Sequence, residues 1–246
     1  MAASRRHPGV LWVHNDGSDE RLFALNTNGQ VVAAFKLQDK VADLEDIAIG
    51  PGPDPGVPYL YLGDIGDNET TRRSIRVYRF PEPELTPSIS AKRVEPIARF
   101  ETIKLRYPDG AHDAETLMVD PLSGEILIVT KEKRKARVYV AAENRLADKA
   151  DIGLTLMNEV AFAEASAGDI SPDGREIILR RENAAVVWSR EPGETVAVAL
   201  ARRPKPARII GPPREPNGES VAWSPDGKGY YTLSEGARQA IYFFSP

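Results

Sequence analysis

Residues 43–68 read DLEDIAIGPGPDPGVPYLYLGDIGDN and contain two short apolar runs, at 47–49 and 59–62. Runs of this length that are bounded by Gly, Pro and Asp are typical of β-strands. Acidic side chains stand near the ends of both runs, namely Glu45, Asp46, Asp64 and Asp67. Carboxylates that converge repel one another unless a cation, a basic residue or a shared proton compensates. The stretch therefore predicts a strand pair that carries acidic groups to one end of a sheet.

This strand pair belongs to a unit that recurs along the chain. Aromatic residues in strand-like runs recur 49 to 61 residues apart, at Phe23, Tyr78, Tyr139, Trp188 and Tyr242. The strand before each run ends in a polar residue, at Asn15, Asp64, Lys131, Arg181 and Glu235. A third set opens the units, at Glu45, Glu115, Ser166 and Glu219. Repeated four-stranded units with Gly-rich turns indicate a propeller. We predict an all-β, five-bladed β-propeller whose four-stranded antiparallel blades surround a central channel.

We predict a single propeller domain over residues 1–246. Its blades are expected over about 1–42, 43–111, 112–163, 164–216 and 217–246. The second blade is the longest because it contains the Pro-rich segment 81–90. The aromatic set is expected to pack between blades, and the SPDG segments at 171–174 and 224–227 are expected to form turns.

The repeat pattern does not account for a fully closed ring. Extrapolation of the repeat places the first glutamate position before Met1, and the last blade shows only three strands. Either the sequence is a fragment, or the ring closes with an exposed strand edge that invites pairing with another chain. We therefore include self-association through this edge among the predicted interactions.

Composition excludes several classes of partner and site. The net charge is -4, and the one basic run, at 131–137, is short, so we expect no nucleic-acid partner. No apolar run is long enough to span a membrane, and we expect a soluble chain without an export signal. Cysteine is absent, which excludes disulfides and thiolate metal sites and leaves the compartment open.

The first strand of each blade of a propeller lines the central channel, and the loops after the second strands surround one opening of that channel, its mouth. Residues from both sets are therefore expected around one polar funnel. We predict a metal site there with ligands Glu45, Asp64, Glu115, Glu219 and Asn15. Calcium is favoured because every donor is an oxygen, with another divalent metal as the alternative. The competing interpretation is that these acids pair with Lys131 and Arg181 and pin adjacent blades together.

Three further residues are candidates for catalysis at the same mouth. His14 ends a strand beside Asn15, and His112 lies just before Glu115, so each is a candidate general base. Turn capping is the alternative for His14. Lys131 stands among acids, where it either polarises a carbonyl or phosphoryl oxygen or neutralises the glutamates. The nucleophile-elbow, phosphate-loop and HExxH motifs are absent from the sequence.

Several segments carry a resemblance to known proteins. They are VLWVHNDGSDERLFALN, LEDIAIGPG, LYLGDIGDN, YPDGAHDAETLMVDPLSGEILIVTK, DISPDG and NGESVAWSPDGKGYYTLSEG. Together they resemble a family of uncharacterised bacterial five-bladed β-propellers over nearly the whole chain. In that family a Glu-containing inner strand precedes the segment that corresponds to residues 2–16, and this sequence departs from the pattern by starting later.

A more distant similarity is to the calcium-dependent phosphotriesterase and lactonase propellers, such as paraoxonase and gluconolactonase. This similarity implies calcium at the channel centre and hydrolysis of a small-molecule ester, lactone or phosphotriester. We predict that reaction, with Lys131 and either His14 or His112 as catalytic groups. The alternative is a binding module, without catalysis, for a peptide, sugar or protein partner.

Overall fold

A computed structural model describes residues 1–15 and 21–245, and nearly all of the regular secondary structure in them is β-strand. The first eleven strands are β1 (Ala2–Ala3), β2 (Val10–His14), β3 (Leu22–Asn26), β4 (Val31–Leu37), β5 (Leu44–Pro51), β6 (Pro58–Asp64), β7 (Ile75–Pro81), β8 (Val94–Ile97), β9 (Glu101–Arg106), β10 (Ala114–Val119) and β11 (Ile126–Thr130). The remaining ten are β12 (Ala136–Ala141), β13 (Asp151–Gly153), β14 (Thr155–Val160), β15 (Ala167–Ile170), β16 (Glu176–Arg181), β17 (Ala184–Ser189), β18 (Lys205–Ala207), β19 (Gly218–Trp223), β20 (Tyr230–Ser234) and β21 (Tyr242–Phe244). A short α-helix, α1, covers Val196–Leu200, and one 3-10 turn covers Glu143–Arg145.

The strands form five small sheets, which are the blades of a five-bladed propeller. Their strand orders are β1-β2-β3-β4-β8, β5-β6-β7-β9-β13, β10-β11-β12-β14, β15-β16-β17-β18 and β19-β20-β21. We call them blades 1 to 5. The innermost strands β1, β5, β10, β15 and β19 contact one another in succession around the axis. The predicted fold is confirmed, except that the blades have three to five strands rather than four.

Apolar packing between neighbouring blades provides the core. Separate buried clusters lie between blades 1 and 2, 2 and 3, 3 and 4, 4 and 5, and 5 and 1. The aromatic set contributes as predicted at Tyr78, Tyr139 and Trp188, whose side chains are buried. Phe23 and Tyr242 are only half-buried.

The predicted turns are present. Gly174 and Gly227 close the two SPDG turns with φ of 71° and 68°, a region that favours glycine. Asp173 accepts a hydrogen bond from the hydroxyl of Ser171 at 2.6 Å, and Asp226 makes the same contact with Ser224 at 2.7 Å. These aspartates therefore shape the turns.

The expectation about ring closure requires correction. The strand at Ala2–Ala3 pairs with Leu11 and Trp12 and is the innermost strand of blade 1. Met1 and Ala3 pack against Ala222 of blade 5, which joins the first and last blades through buried apolar surface. These contacts close the junction between the two blades, and β21 is the outermost strand of blade 5 in the described part of the chain.

The blade boundaries also differ in detail from the prediction. Strand β8 follows the Pro-rich segment of the second repeat but pairs in parallel with β4 of blade 1. Strand β13 lies in the third repeat and pairs in parallel with β9 of blade 2. Each of these repeats therefore donates an outer strand to the blade before it. Among the described residues, no helix has the length and apolarity needed to cross a membrane.

Candidate functional site

Three glutamates occupy the same irregular position at the start of an innermost strand. In blades 2, 3 and 5, the pairing of the innermost strand with the second strand shifts register by one residue. The shifts lie between Leu44 and Asp46, between Ala114 and Thr116, and between Gly218 and Ser220. The extra residues at these bulges are Glu45, Glu115 and Glu219. A bulge re-aims the side chain that it carries. The repeat thus presents three carboxylates from the corresponding positions of blades 2, 3 and 5.

Glu115 forms an ion pair with Lys131 of its own blade. The Lys131 Nζ atom lies 2.6 Å from Glu115 Oε1. Burial disfavours the charged ammonium, but Glu115, Glu219 and Asp113 outweigh burial and raise the pKa of Lys131. Burial also raises the pKa of Glu115, an effect that Lys131 opposes. Lys131 therefore stays protonated among several carboxylates.

Glu219 has an acidic neighbour, Glu235, instead of a basic one, and this neighbour contributes to a raised pKa of Glu219. Burial, Glu115 and Glu235 together raise the pKa of Glu219 to about 7, although Lys131 works against this rise. A carboxyl group with such a pKa exchanges a proton near neutral pH, as a general acid or base must.

Lys131 and Glu235 take corresponding places after the second strands of blades 3 and 5. The amide of Lys131 donates to the carbonyl of Asp113 at 3.0 Å, and the amide of Glu235 donates to that of Asn217 at 2.8 Å. The sequence alignment placed both with Asp64, but the ladders pair Asp64 with Leu44, Thr130 with Ala114 and Ser234 with Gly218. Lys131 and Glu235 therefore lie one residue beyond the position of Asp64.

Asp64 is buried and engaged within blade 2. Its Oδ1 atom accepts hydrogen bonds from Arg72 Nη2 at 2.7 Å and from the amide of Asp43 at 3.0 Å. Arg76 lies 3.8 Å from its Oδ2 atom. The guanidinium of Arg72 also donates to the carbonyl of Gly66 at 2.6 Å. Asp64 therefore anchors the loop that follows β6.

That loop connects blade 2 to the site on blade 3. Asp67 accepts hydrogen bonds from the amides of Thr71 and Arg72, at 3.0 and 2.8 Å. Its own amide donates to Asp113 Oδ1 at 2.9 Å. A side chain at Gly66 would collide with the carboxylates of Glu45 and Asp43. Glycine at this position lets both carboxylates approach the loop backbone.

His14 and Asn15 bind backbone groups. His14 Nε2 lies 3.0 Å from the carbonyl oxygen of Glu45, which ties blade 1 to blade 2. Burial lowers the pKa of His14 to about 4, so its ring is neutral at physiological pH. Asn15 Oδ1 accepts a hydrogen bond from the amide of Arg21 at 2.7 Å.

His112 belongs to a polar and aromatic cluster around Tyr139. Arg137 Nη1 donates to His112 Nδ1 at 3.2 Å, which places the ring proton on Nε2, where it donates to Asp109 Oδ1 at 3.1 Å. The hydroxyl of Tyr139 also donates to Asp109, and Tyr107 packs edge-on against the imidazole. Both ring nitrogens of His112 therefore have partners, one on β12 and one in the loop between β9 and β10.

Two buried aspartates join innermost strands of neighbouring blades. Asp46 accepts from the amide of Leu117 on blade 3 at 3.0 Å, and Asp169 accepts from the amide of Trp223 on blade 5 at 2.7 Å. Each also accepts from the residue that follows it in sequence. Burial raises the pKa of both carboxyl groups to about 6. Their role is to fix the spacing of the blades.

The predicted calcium ligands do not converge on one position. Glu115 is bonded to Lys131, Asp64 to Arg72, and Asn15 to a backbone amide. Within residues 1–15 and 21–245, no group of three or more His, Asp or Glu side chains is arranged to hold a metal ion. The arrangement does not fit a resident calcium ion, because the ammonium of Lys131 already supplies a positive charge to the acids.

No family model matches the chain, and no curated protein matches it. A chain of the mitotic checkpoint complex is similar at 13% identity and a TM-score of 0.44, and the match covers 98% of this chain and 60% of that one. A chain of a nidogen/laminin complex has 10% identity and a TM-score of 0.48, with 92% and 86% covered. A periplasmic gluconolactonase of Pseudomonas aeruginosa has 12% identity and a TM-score of 0.46, with 96% and 67% covered.

Proposed function

We propose that the channel mouth hydrolyses an ester or lactone of a small molecule, with Glu219 as general base and Lys131 as the oxyanion-stabilising group. The observation that supports this proposal is the raised pKa of Glu219 beside a protonated lysine. A base that titrates near neutral pH and a fixed positive charge are what acyl transfer to water requires.

The reaction follows from these two groups. The Glu219 carboxylate takes a proton from water while the water oxygen attacks the carbonyl carbon. Negative charge then develops on the carbonyl oxygen, where the ammonium of Lys131 stabilises it with an N–H that Glu115 does not use. The bond to the leaving oxygen breaks, and the protonated Glu219 returns the proton to that oxygen. The products are a carboxylic acid and an alcohol.

The test is turnover of aryl esters, lactones and the phosphotriester paraoxon by the wild type and two variants. Glu219→Gln removes the base and should reduce kcat by about 10²–10⁴-fold. Glu182→Gln is the matched control, because Glu182 is an exposed glutamate on the corresponding loop of blade 4. Equal activity of all three proteins, or no turnover of any substrate by the wild type, contradicts the proposal.

Calcium remains a separate prediction from the sequence. If calcium or another divalent cation binds the mouth glutamates, it raises the melting temperature of EDTA-treated protein, since ligands that bind only the native state stabilise it. Because Lys131 neutralises part of the cluster, we expect little change in melting temperature and unchanged hydrolysis in EDTA. Loss of hydrolysis in EDTA that calcium restores would instead support the metal-dependent reaction.

A binding module without catalysis is the second candidate, and the paired state of the acids favours it. Glu115 with Lys131 and Asp64 with Arg72 are ion pairs that hold blades and loops in place. A peptide, sugar or protein would then be recognised at the mouth without turnover. Under this alternative Glu115→Gln lowers the melting temperature, and no variant changes a reaction rate.

A further inference from the structure

Blade 4 has no glutamate at the position that Glu115 and Glu219 occupy, and it carries Ser166 there instead. In the described ladder between β15 and β16 the register does not shift. Blade 4 instead directs an arginine toward the bulge of blade 5. Arg180, on β16, is fully buried, and its side chain lies against the start of β19. Blade 4 therefore borders the bulge of blade 5 with a buried cation.

The guanidinium of Arg180 contacts both residues that flank Glu219. Its Nη1 atom donates a hydrogen bond to the carbonyl oxygen of Ser220 at 3.0 Å. A Cβ atom on Gly218 would collide with its Nη2 atom, so the guanidinium packs directly on the backbone of this glycine. The residue at the bulge thus stands between two backbone positions that one buried side chain touches.

The guanidinium is itself held in place by a buried ion pair. Its Nη1 atom lies 3.1 Å from Glu215 Oε1, and neither side chain is exposed. The other carboxylate oxygen of Glu215 accepts hydrogen bonds from the amides of Ile210 and Gly211, at 3.2 and 3.3 Å. The ion pair compensates the buried positive charge and ties it to the loop before β19. Arg180 therefore has a fixed position from which it supports the bulge.

Such support matters because the side chain of Glu219 has acidic neighbours. Glu115 and Glu235 both raise its pKa, so they repel the ionised carboxylate. This repulsion drives the carboxylate toward water unless the backbone beneath it is held. A reacting group that is misplaced by about 1 Å can cost about 100-fold in rate. A general base at this position therefore needs a rigid bulge.

We infer that Arg180 is a positioning residue, which holds the bulge of blade 5 and so places the carboxyl group of Glu219 at the channel mouth. The consequence for the rate rests on the proposed hydrolysis, but the environment of Glu219 can be measured without turnover. Because Glu215 compensates the charge of Arg180, the support comes from contact with the backbone of Gly218 and Ser220.

The first test is the double variant Arg180→Met/Glu215→Gln, which removes both buried charges together and keeps an acceptor for the loop amides. Titration of the glutamate carboxyl groups by carbon-detected NMR should show a lower midpoint for Glu219. We expect a fall from about 7 toward the ordinary value of 4.5, by about one unit or more. We expect kcat to fall about 10–100-fold, with KM little changed because Lys131 stays in place.

The second test is Gly218→Ala, which alters no charge. Its methyl group displaces the guanidinium from the bulge, and the backbone at Gly218 does not have the positive φ that would disfavour alanine. Gly153→Ala, on β13, is the matched control, because a Cβ atom there would meet nothing within 4 Å. Gly218→Ala should lower the midpoint of Glu219 and kcat as the double variant does, and the control should change neither.

Two outcomes would overturn the inference. They are a Glu219 midpoint that stays at about 7 in either variant, and a Gly153→Ala control that shifts the midpoint as much as Gly218→Ala does. Cooperative thermal unfolding of each variant shows that it is folded when it is titrated. A wild type that turns over no ester contradicts the proposed hydrolysis alone, because the midpoints still report the environment of Glu219.

Discussion

Blades 3 and 5 present the same glutamate on the same bulge, but the residue beside it differs. In blade 3 the neighbour of Glu115 is Lys131, and in blade 5 the neighbour of Glu219 is Glu235. The backbone contacts of Lys131 and Glu235 correspond, so the difference lies in the side chains. One blade thereby holds an ion pair, and the other holds two neighbouring carboxyl groups, of which Glu219 has a raised pKa. The exchange of lysine for glutamate at one position of the repeat therefore decides whether the neighbouring glutamate forms an ion pair or has a raised pKa.

Removal of the lysine is expected to have the largest effect on activity. Lys131→Met leaves Glu115 and Glu219 without their cation, so the pKa of Glu219 rises further and the oxyanion loses its partner. We expect kcat to fall about 10²–10³-fold, as for loss of an oxyanion donor. Lys133→Met, at an exposed lysine of the same hairpin, is the control and should keep the wild-type rate.

Conversion of blade 5 to the arrangement of blade 3 tests the comparison itself. Glu235→Lys gives Glu219 a cationic neighbour in place of an acidic one. The pKa of Glu219, about 7 in the wild type, should fall by about 1–3 units. The pH–rate profile should move to lower pH by the same amount. An unmoved profile would mean that Glu235 does not set the titration of the base.

Substitution of a buried aspartate tests whether the difference between blades 3 and 5 depends on the spacing of the blades. Asp169→Ala removes the acceptor for the amides of Ile170 and Trp223 and so loosens the strand that carries Glu219. Each orphaned amide should lower the free energy of unfolding by about 1–3 kcal/mol. Asp226→Ala, in an exposed turn, should change it by about 0.5 kcal/mol or less. Chemical denaturation of both variants makes the measurement.

The smallest expected effect is on the pH dependence of stability. The pKa of Glu219 is about 7 in the fold, compared with an ordinary value of 4.5, so its contribution to stability is complete below pH 4.5. That contribution is lost as the pH rises through about 7. Denaturation at several pH values should therefore show a flatter dependence in Glu219→Gln than in the wild type. An equal slope would contradict the raised pKa.

Much of the fold could be predicted from the sequence, because the same residue types recur at the same structural positions of the repeat. Aromatic residues in the third strands and the SPDG turns have local causes that recur in each unit. The donated strands β8 and β13 were not predicted, because pairing with a different blade leaves no periodic signal in the donating segment. The strand at Ala2–Ala3 was missed because two residues are too few for a pattern.

The sequence proposed Glu115 and Glu219 as metal ligands and Lys131 as either a catalytic group or a neutralising cation. The ion pair between Lys131 and Glu115 agrees with the neutralising role. The sequence did not predict the bulges, since an extra residue in one strand is visible only against its partner. The partners of His14 and His112 were also unpredictable, because a backbone carbonyl of another blade or a distant tyrosine has no sequence motif.

Titration of the glutamate carboxyl groups by carbon-detected NMR, in wild type and Glu219→Gln, tests the difference between blades 3 and 5. We predict one carboxyl signal with a midpoint near the pKa of about 7 that burial and Glu235 give Glu219, and its loss in the variant. The midpoint should coincide with that of the pH–rate profile. If every glutamate instead titrates near the ordinary value of about 4.3, the two blades do not differ as described and Glu219 is not the base.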